Sequence, residues 1–285
     1  MDGSVDVETH RIGRHPSLHV RRRRPRFDRQ HLTAHDPERI FDLPIAREKA
    51  TNWPVIPATS LKGVLRAATP EDDRDRLFGT QDSIGDLQIG DARLLCFPVR
   101  SWKGVFAYVT CPLALERLRR DFTALGIPVP FSEKIPNVGP DGAAITSKSL
   151  LIDGNNSEIW LDDLELKADV SEEAEAIAAG IEAVVFPRPG DGPDFVKRFA
   201  IVEDDVFDFL AETATEVTAR IKLNQNGTKT VETGGLWYEE AVPAEAIFAA
   251  PVLSKTTLSF TSSYIQIGGH ESVGRGLCRL GVSPR

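Results

Sequence analysis

Residues 92–126 read ARLLCFPVRSWKGVFAYVTCPLALERLRRDFTALG and hold two strand patterns followed by a helix pattern. The runs at 92–99 and 104–110 are short, apolar and rich in strand-forming residues, and a polar RSWK connector separates them. Pro112 suits the first position of a helix, the apolar residues after it share one helical face, and Gly126 ends the pattern. Strands and a helix in this order are the first indication of an α+β domain.

The rest of the chain continues in the same way, without the regular alternation of a parallel βαβ fold, and therefore predicts an α+β fold class. Proline and glycine without clear periodicity predict a long loop or an insertion at 127–150. Ser171 is predicted to cap a helix, and a longer helix is predicted at 204–220 with Val217 on its apolar stripe. Strands are predicted at 157–166, 228–238, 246–253, 256–260 and 277–282.

The composition is that of a folded protein with one large or two smaller domains: 285 residues, 41% hydrophobic and 27% charged. The chain has no apolar run of about 18 residues, and its first residues lack the apolar stretch of a secretory signal. Its three cysteines form no CxxC pair, which fits a reducing compartment and argues against a zinc site. We therefore expect a cytoplasmic protein with no membrane partner.

The net charge of −8 argues against a nucleic-acid partner, but the charge is unevenly distributed. Residues 1–40 hold nine arginines against six acids, including RRRRPR at 21–26. Acids cluster instead at 158–175 and 203–216. Because phosphate neutralisation is local, RNA binding stays open.

The stretch IPATSLKGVLR at 56–66 predicts an anion site at the start of a helix. Thr59 or Ser60 is expected to cap the helix, while Lys62 and Arg66, four residues apart, share one face. Capping hydroxyls, unpaired N–H groups and two cations together suit a phosphate. The alternative is an ordinary solvated amphipathic helix.

A glycine-rich stretch, YIQIGGHESVGRGLCRL at 264–280, predicts a loop able to wrap a sugar-phosphate backbone. Its spacing matches neither a P-loop nor a dinucleotide fingerprint, and a purely structural turn is the alternative. In VETGGLWYEEAVP at 231–243, Trp237 and Tyr238 suit either a core position or a wedge that stacks on bases.

The stretch IFDLPIARE at 40–48 places Asp42 before Leu-Pro, where the backbone is extended or turned. A carboxylate in this position usually caps or bends a loop. Held near an RNA phosphate, with Arg47 close by, it is instead suited to metal binding or proton transfer.

These motifs follow one another in order from about residue 40 to residue 280, and together they resemble the backbone subunit of the type III-B CRISPR RAMP-module (Cmr) effector complex, a branch of the RAMP superfamily. The resemblance implies a ferredoxin-like, RRM-type palm with inserted elements over 40–285 and a protruding β-hairpin thumb near 222–243. It also implies a filament of such subunits on a CRISPR RNA, beside other Cmr subunits. That filament would cut a complementary target RNA at regular intervals.

The resemblance assigns cleavage to Asp42, in a reaction that needs a divalent metal, Mg²⁺ or Mn²⁺, with Asp42 itself a possible ligand. Trp237 and Tyr238 become thumb candidates. The RNA-binding residues that it implies are Ser60, Lys62, Arg66, Arg47, Gly268, Gly269, Gly274, Arg275 and Gly276.

Residues 1–39 depart from the family pattern, since the family's first strand normally leads into a glycine-rich turn and this segment is rich in arginine and histidine. His19 is the candidate for the family's histidine, but RRRRPR follows where glycines are expected. Three explanations are open: a basic variant that adds RNA contacts, a disordered segment, or an aberrant reading frame.

Three functions are therefore compared. The first is an RNA-guided, metal-dependent endoribonuclease subunit that uses Asp42, and the intact DLPIARE motif favours it. The second is a non-catalytic scaffold that binds CRISPR RNA, favoured by the altered N-terminal segment. The third is a separate enzyme that binds a nucleotide phosphate, which the missing P-loop and dinucleotide patterns disfavour.

Overall fold

A computed structural model of the chain describes residues 17–22, 41–131, 134–152, 157–188, 191–192, 194–224, 230–256 and 264–283. The α-helices in these residues are α1 (Ala58–Ala68), α2 (Glu71–Phe78), α3 (Pro112–Ala124), α4 (Glu172–Val185) and α5 (Asp204–Thr213). The strands are β1 (Ser17–Arg22), β2 (Val55–Ile56), β3 (Leu87–Ile89), β4 (Ala92–Arg100), β5 (Phe106–Thr110), β6 (Gly142–Ile145), β7 (Glu158–Leu161), β8 (Leu164–Val170), β9 (Phe199–Val202), β10 (Glu216–Leu223), β11 (Val231–Ala241), β12 (Ile247–Ser254), β13 (Tyr264–Gln266) and β14 (Leu277–Ser283).

Most of these strands form one mixed sheet. Its order is β13-β14-β1-β12-β4-β5-β9-β6-β8-β7, and the short strands β2 and β3 pair with β4 and β12. The pairs β5–β9 and β6–β8 are parallel, and the other neighbours along this path are antiparallel. The prediction of strands and helices without regular βαβ alternation is confirmed at this level.

The core consists of two apolar clusters, one on each face of the sheet. β9 shows the alternation that separates them, because Ala200 and Val202 belong to one cluster and Phe199 and Ile201 to the other. Helices α1, α2 and α5 cover the first face, and α3 and α4 cover the second. Each large side chain buried in this way stabilises the fold by about 1.5–3 kcal/mol.

β7, the last strand on one side of the sheet order, runs back to the end of β4. The Trp102 amide donates to the Trp160 carbonyl at 3.3 Å, and the Asp162 amide donates to the Arg100 carbonyl at 2.7 Å. The sheet therefore curls towards closure at this point.

The strands β10 and β11 form a separate two-stranded sheet. On one face of this hairpin the large apolar side chains are exposed, including Val217, Ile221, Leu236 and Tyr238. A two-stranded hairpin is marginally stable alone, so its attachment to the rest of the chain must supply stability.

Two helix predictions are confirmed. α3 begins at Pro112 and ends at Ala124, and Gly126 follows with a φ of +64°. The Ser171 hydroxyl caps α4 by accepting a hydrogen bond from the Ala174 amide at 3.1 Å.

Three local predictions are wrong. The helix predicted at 204–220 ends at Thr213, and the β-branched residues beyond it enter strand β10, where Val217 is exposed. The loop predicted at 127–150 contains β6, which pairs with β8 and β9. The strand predicted at 157–166 is a hairpin that turns at Asp162, whose φ of +53° an aspartate tolerates well.

Within the atypical segment 1–39, the structure describes Ser17–Arg22 as β1, a strand between β12 and β14. His19 is therefore part of a strand inside the sheet, paired with Ala249 and Gly281. The remainder of that segment lies outside the described residues, as does most of the strand predicted at 256–260.

Among the described residues, no helix has the length and apolar character that crossing a membrane requires.

Candidate nucleic-acid interface

The DLPIARE motif lies along the edge of β11 opposite β10. The Leu43 amide donates to the Tyr238 carbonyl at 3.1 Å, and the Glu240 amide donates back to the Leu43 carbonyl at 3.0 Å. The carboxylate of Asp42 accepts the Tyr238 amide at 2.7 Å through Oδ2. Two predicted site residues from distant parts of the sequence, Asp42 and Tyr238, are thus direct neighbours.

Arg47, the arginine of the DLPIARE motif, contacts other residues of the chain and helps to hold the fold together. Arg47 pairs with the buried Glu240, and its Nη1 donates to the Asn52 and Ala211 carbonyls at 2.7 and 3.2 Å. Glu240 also accepts the Ile45 amide at 3.1 Å. The Arg47 side chain is only 15% exposed, so its predicted contact with RNA would use the little of its surface that remains accessible.

Asp42 differs from its neighbours because it is exposed. Glu48, six residues on, pairs with Arg117 at 2.7 Å, and both side chains are less than one-fifth exposed. The packed part of the motif therefore fixes the backbone, while the Asp42 carboxylate faces solvent with its one described hydrogen bond to β11.

Glu239 attaches the hairpin to the glycine-rich loop. Its side chain is 1% exposed and receives hydrogen bonds from Arg220 Nε at 3.0 Å, Trp237 Nε1 at 2.9 Å and the Arg275 guanidinium. His270 Nε2 lies 3.7 Å from the same carboxylate. Burial raises the pKa of Glu239, but the hydrogen bonds from Trp237 and Arg220 and the charge of Arg275 outweigh burial and hold that pKa below its ordinary value.

The glycine-rich loop follows β13 and contains three of the predicted glycines in the left-handed region: Gly268 at φ +88°, Gly274 at +75° and Gly276 at +79°. Gly276 is buried, and a Cβ there would lie 2.0 Å from the Ile267 carbonyl, so only glycine fits. Gly268 and Gly274 are exposed, and Gly269 is half-buried. The exposed backbone of this loop is the part that can contact a ligand.

Arg275 is placed differently from what its predicted role suggests. It is 3% exposed and directed at Glu239. Its direct contribution, within the described residues, is to hold the loop against the hairpin.

The two thumb candidates lie on opposite faces of β11. Trp237 is half-buried and donates to Glu239, whereas Tyr238 is 43% exposed on the apolar face of the hairpin. Tyr238 is thus the more accessible of the two side chains.

The helix α1 carries the fourth motif, with one correction to its predicted start. Thr59 and Ser60 lie inside the first turn and neither caps it, because the cap position is Pro57. The first amide of the helix, that of Ala58, donates instead to Asp91 Oδ1 at 2.7 Å. An internal carboxylate therefore already occupies part of the predicted anion site.

The two cations of α1 have different surroundings. Lys62 is exposed and makes no ion pair with the described residues, and beside it a Cβ on Gly63 would meet nothing within 4 Å. Arg66 donates to the Arg74 and Gly79 carbonyls at 3.1 and 2.9 Å and pairs with Asp75. Arg66 thus joins α1 to the end of α2, and Lys62 is the more accessible cation.

The structure brings three of the four motifs into direct contact: DLPIARE touches the hairpin, and the hairpin touches the glycine-rich loop. The helix α1 packs against β13, which leads into that loop. Sequence reasoning did not assign roles to Glu239 and Glu240, although two adjacent acids after an aromatic pair in a strand were visible.

The predicted divalent metal finds one candidate ligand here. No group of three or more His, Cys, Asp or Glu residues suited to a metal ion occurs within the described parts of the chain. Glu239 and Glu240 are buried and paired with arginines, so Asp42 is the accessible member of these three carboxylates. A single carboxylate fits Mg²⁺ where water and an RNA phosphate supply the remaining ligands.

Comparison with known proteins places these features in context. A family model described as the RAMP superfamily matches residues 11–279. "CRISPR system Cmr endoribonuclease Cmr4" of Pyrococcus furiosus is 35% identical over 266 residues, which cover 85% of this chain and 88% of that protein. "CRISPR system CMR subunit Cmr4" of Saccharolobus solfataricus is 25% identical over 278 residues, covering 85% and 89%.

Solved structures share the fold. The crystal structure of oligomeric Cmr4 from Pyrococcus furiosus has a TM-score of 0.73 at 27% identity, covering 96% of this chain and 99% of that one. A chain in the cryo-EM structure of the type III-B Cmr-beta complex bound to cognate target RNA has a TM-score of 0.71 at 19% identity, covering 94% and 96%.

Proposed function

This chain belongs to the RAMP superfamily and, within it, to the Cmr4 family, and from that premise we propose that it is a CRISPR RNA-binding filament subunit that cuts complementary target RNA. The observation that carries the proposal is the exposed Asp42 carboxylate held on the Tyr238 amide at the edge of the hairpin. The name of the Pyrococcus relative, an endoribonuclease, supports the reaction class.

The large sheet with its helices serves as the palm, and the β10–β11 hairpin serves as the thumb. The hairpin pairs within itself and has an exposed apolar face, which suits stacking against bases. Asp42 lies at the thumb's edge, so a base displaced by the thumb would leave its backbone beside this carboxylate.

The guide's phosphates are held by α1 and the glycine-rich loop. Lys62 offers an exposed ammonium, Ser60 a hydroxyl, and Gly268 and Gly274 an exposed backbone. Arg66, Arg47 and Arg275 have internal partners, so they act mainly by keeping these elements in position.

The chemistry is an internal transesterification. The target's 2′-hydroxyl loses its proton as its oxygen forms a bond to the adjacent phosphorus, and the bond to the 5′-oxygen breaks. That oxygen takes a proton from water, and the products end in a 2′,3′-cyclic phosphate and a 5′-hydroxyl. The displaced nucleotide allows in-line alignment. Asp42 orients the reacting ribose or accepts its 2′-hydroxyl proton, a contribution of about 10²–10⁴-fold in rate for a positioned acid-base group.

A divalent ion, Mg²⁺ or Mn²⁺, is part of this proposal, and when bound it would neutralise charge on the phosphate. Asp42 is the described residue available to hold it. Cleavage by the reconstituted complex should therefore stop with EDTA and return with added Mg²⁺ or Mn²⁺.

A non-catalytic scaffold is the competing function. The nuclease and scaffold functions are distinguished by reconstituting the complex with guide RNA and an end-labelled complementary target. An evenly spaced ladder that ends in cyclic phosphates supports the nuclease. Stable binding of guide and target without any ladder, with Mg²⁺ and Mn²⁺ present, would show a scaffold.

A further inference from the structure

The turn between β4 and β5 exposes an aromatic surface. The Trp102 ring stacks on Trp160 of β7 with centroids 4.5 Å apart and an interplanar angle of 16°. Trp102 is nevertheless 64% exposed, and Val105, in the same turn, is 77% exposed. One ring face is covered by Trp160, so the other is presented to solvent.

Hydrogen bonds from neighbouring residues fix the backbone of the turn between β4 and β5. Arg198 Nε donates to the Gly104 carbonyl at 2.8 Å, and the Ser101 amide donates to the Val105 carbonyl at 3.1 Å. The Trp102 amide is bonded to the Trp160 carbonyl. The exposed indole therefore has a fixed backbone, which lowers the entropy cost of binding a partner.

Two carboxylates share this surface. Glu165 is the cross-strand partner of Trp160, and Glu158 lies two residues before Trp160 on the same face of its strand. We call Trp102, Trp160, Glu158 and Glu165 the tryptophan face.

The two glutamates are close to one another, and Lys167 lies directly opposite Glu158 on the same face of the hairpin. They hydrogen-bond to one another, and this bond, together with burial and their mutual repulsion, raises the pKa of Glu165. Neither makes an ion pair with a cation in the described part of the chain. Two adjacent carboxylates of this kind are stabilised by a cation that binds to both.

We propose that the tryptophan face is a docking site for an arginine carried by a segment of a partner protein. A guanidinium is flat enough to stack on the Trp102 ring, and its N–H groups match a pair of carboxylates. Tryptophan and arginine are also the residues most enriched where protein interfaces bind most tightly.

The charge around the face selects a basic protein over a nucleic acid. The hairpin carries five acids, Glu158, Asp162, Asp163, Glu165 and Asp169, against Lys167 opposite Glu158 and Lys103 beside Trp102. A phosphate backbone would be repelled by this surface. The face lies on β7, β8 and the β4–β5 turn, and it shares no residue with the proposed nuclease site.

The test uses the full chain and a labelled peptide of its own residues 20–27, VRRRRPRF, as an arginine probe. A second peptide replaces each arginine by lysine, which keeps the charge but removes the flat, bidentate group. Binding is measured for wild type, Trp102→Ala, Trp102→Phe and the double variant Glu158→Gln with Glu165→Gln. A control double variant, Asp82→Asn with Glu212→Gln, removes two exposed acids elsewhere.

We expect the arginine peptide to bind at least tenfold more weakly to Trp102→Ala and to the Glu158/Glu165 double variant. Trp102→Phe should retain most of the affinity, the control variant should match wild type, and the lysine peptide should bind several-fold more weakly than the arginine peptide. Unchanged binding to Trp102→Ala, equal binding of the two peptides, or no binding to wild type would overturn the proposal. Loss of oligouridine binding in Trp102→Ala would instead identify RNA as the occupant.

Discussion

Asp42 is set apart from other acids at the interface by what surrounds it. Glu239 and Glu240 are buried and paired with Arg275 and Arg47, so their charges are already neutralised. Asp42 is exposed and accepts a backbone amide. A carboxylate with no ion pair among the described residues keeps its charge available for a ligand, which is the property that its proposed role requires.

At the scale of single residues, Lys62→Ala is expected to weaken guide RNA binding and to reduce the salt slope of log Kd by about 0.7–0.9, because one phosphate contact is lost. Titrations at several salt concentrations measure the slope. Lys148→Ala, an exposed lysine outside the interface, is the matched control. If wild type and Lys62→Ala show the same dependence of log Kd on salt, Lys62 does not contact an RNA phosphate and α1 is not part of the interface.

Gly63→Ala tests whether RNA closely approaches α1. A Cβ there meets nothing within 4 Å, so alanine is expected to raise the free energy of unfolding by about 0.5–1 kcal/mol through its better helix propensity. If the guide's backbone lies against this position, the same variant binds RNA more weakly. A stabilised variant with wild-type affinity would show that no close approach occurs.

At this scale sequence reasoning singled out Asp42 as a candidate, but it did not predict the internal partners of the arginines. Arg275 and Arg47 are the same residue type as a phosphate-binding arginine, and only the fold shows that Glu239 and Glu240 already engage them. The distinction depends on contacts between residues 36 and 193 positions apart, which local spacing does not reveal.

At the scale of elements, the hairpin depends on Glu239, which joins both of its strands to the glycine-rich loop. Glu239→Gln leaves Arg275 buried without its counter-charge. It should lower the free energy of unfolding by roughly 3 kcal/mol at pH 7, near the lower end for a broken buried ion pair. Urea unfolding measures this loss, with the exposed Glu212→Gln as control.

The same contact predicts a pH dependence. The pKa of Glu239 is lowered in the folded chain, so its contribution is complete above the ordinary value of about 4.3 and is lost as pH falls through the folded pKa. The stability difference between wild type and Glu239→Gln should therefore shrink as the pH falls below about 4.3. A difference that stays constant down to pH 3 would contradict the assigned ionisation.

In the glycine-rich loop, Gly276→Ala is expected to be severely destabilising. Alanine there requires a left-handed φ of +79° and places Cβ 2.0 Å from the Ile267 carbonyl. Gly274 has a similar φ of +75° but open space around it. Gly274→Ala is therefore destabilised by the unfavourable left-handed backbone conformation and not by a steric clash. The melting temperature of Gly276→Ala should lie well below that of Gly274→Ala. The reverse order would show that residue 276 does not lie as close to the Ile267 carbonyl as the structure indicates.

Sequence patterns predicted helices best where a single residue type marked a helix end. Pro112 and Gly126 marked the ends of α3, and Ser171 marked the start of α4. The pattern failed at 204–220, where an apolar stripe continued past Thr213 into the hairpin. There strand pairing between β10 and β11 decides the structure, and the partner strand is encoded further along the chain.

At the scale of the whole molecule, motifs that are up to about 230 residues apart in the sequence meet around the base of one hairpin. Resemblance to a family predicted this set of motifs, and the structure shows the hydrogen bonds that join three of them. The strand β1 lies in the sheet between β12 and β14, within the segment for which the resemblance predicted an atypical sequence.

The most direct test of the central claim is single-turnover cleavage of target RNA by the reconstituted complex, with wild type compared with Asp42→Asn. Asparagine can still accept the Tyr238 amide, so the loop keeps its anchor while the charge is removed. The account predicts a loss of about 10²–10⁴-fold in the cleavage rate with unchanged affinity for guide and target. Near-wild-type cleavage by Asp42→Asn, or a loss of RNA binding that parallels the loss of cleavage, would contradict it.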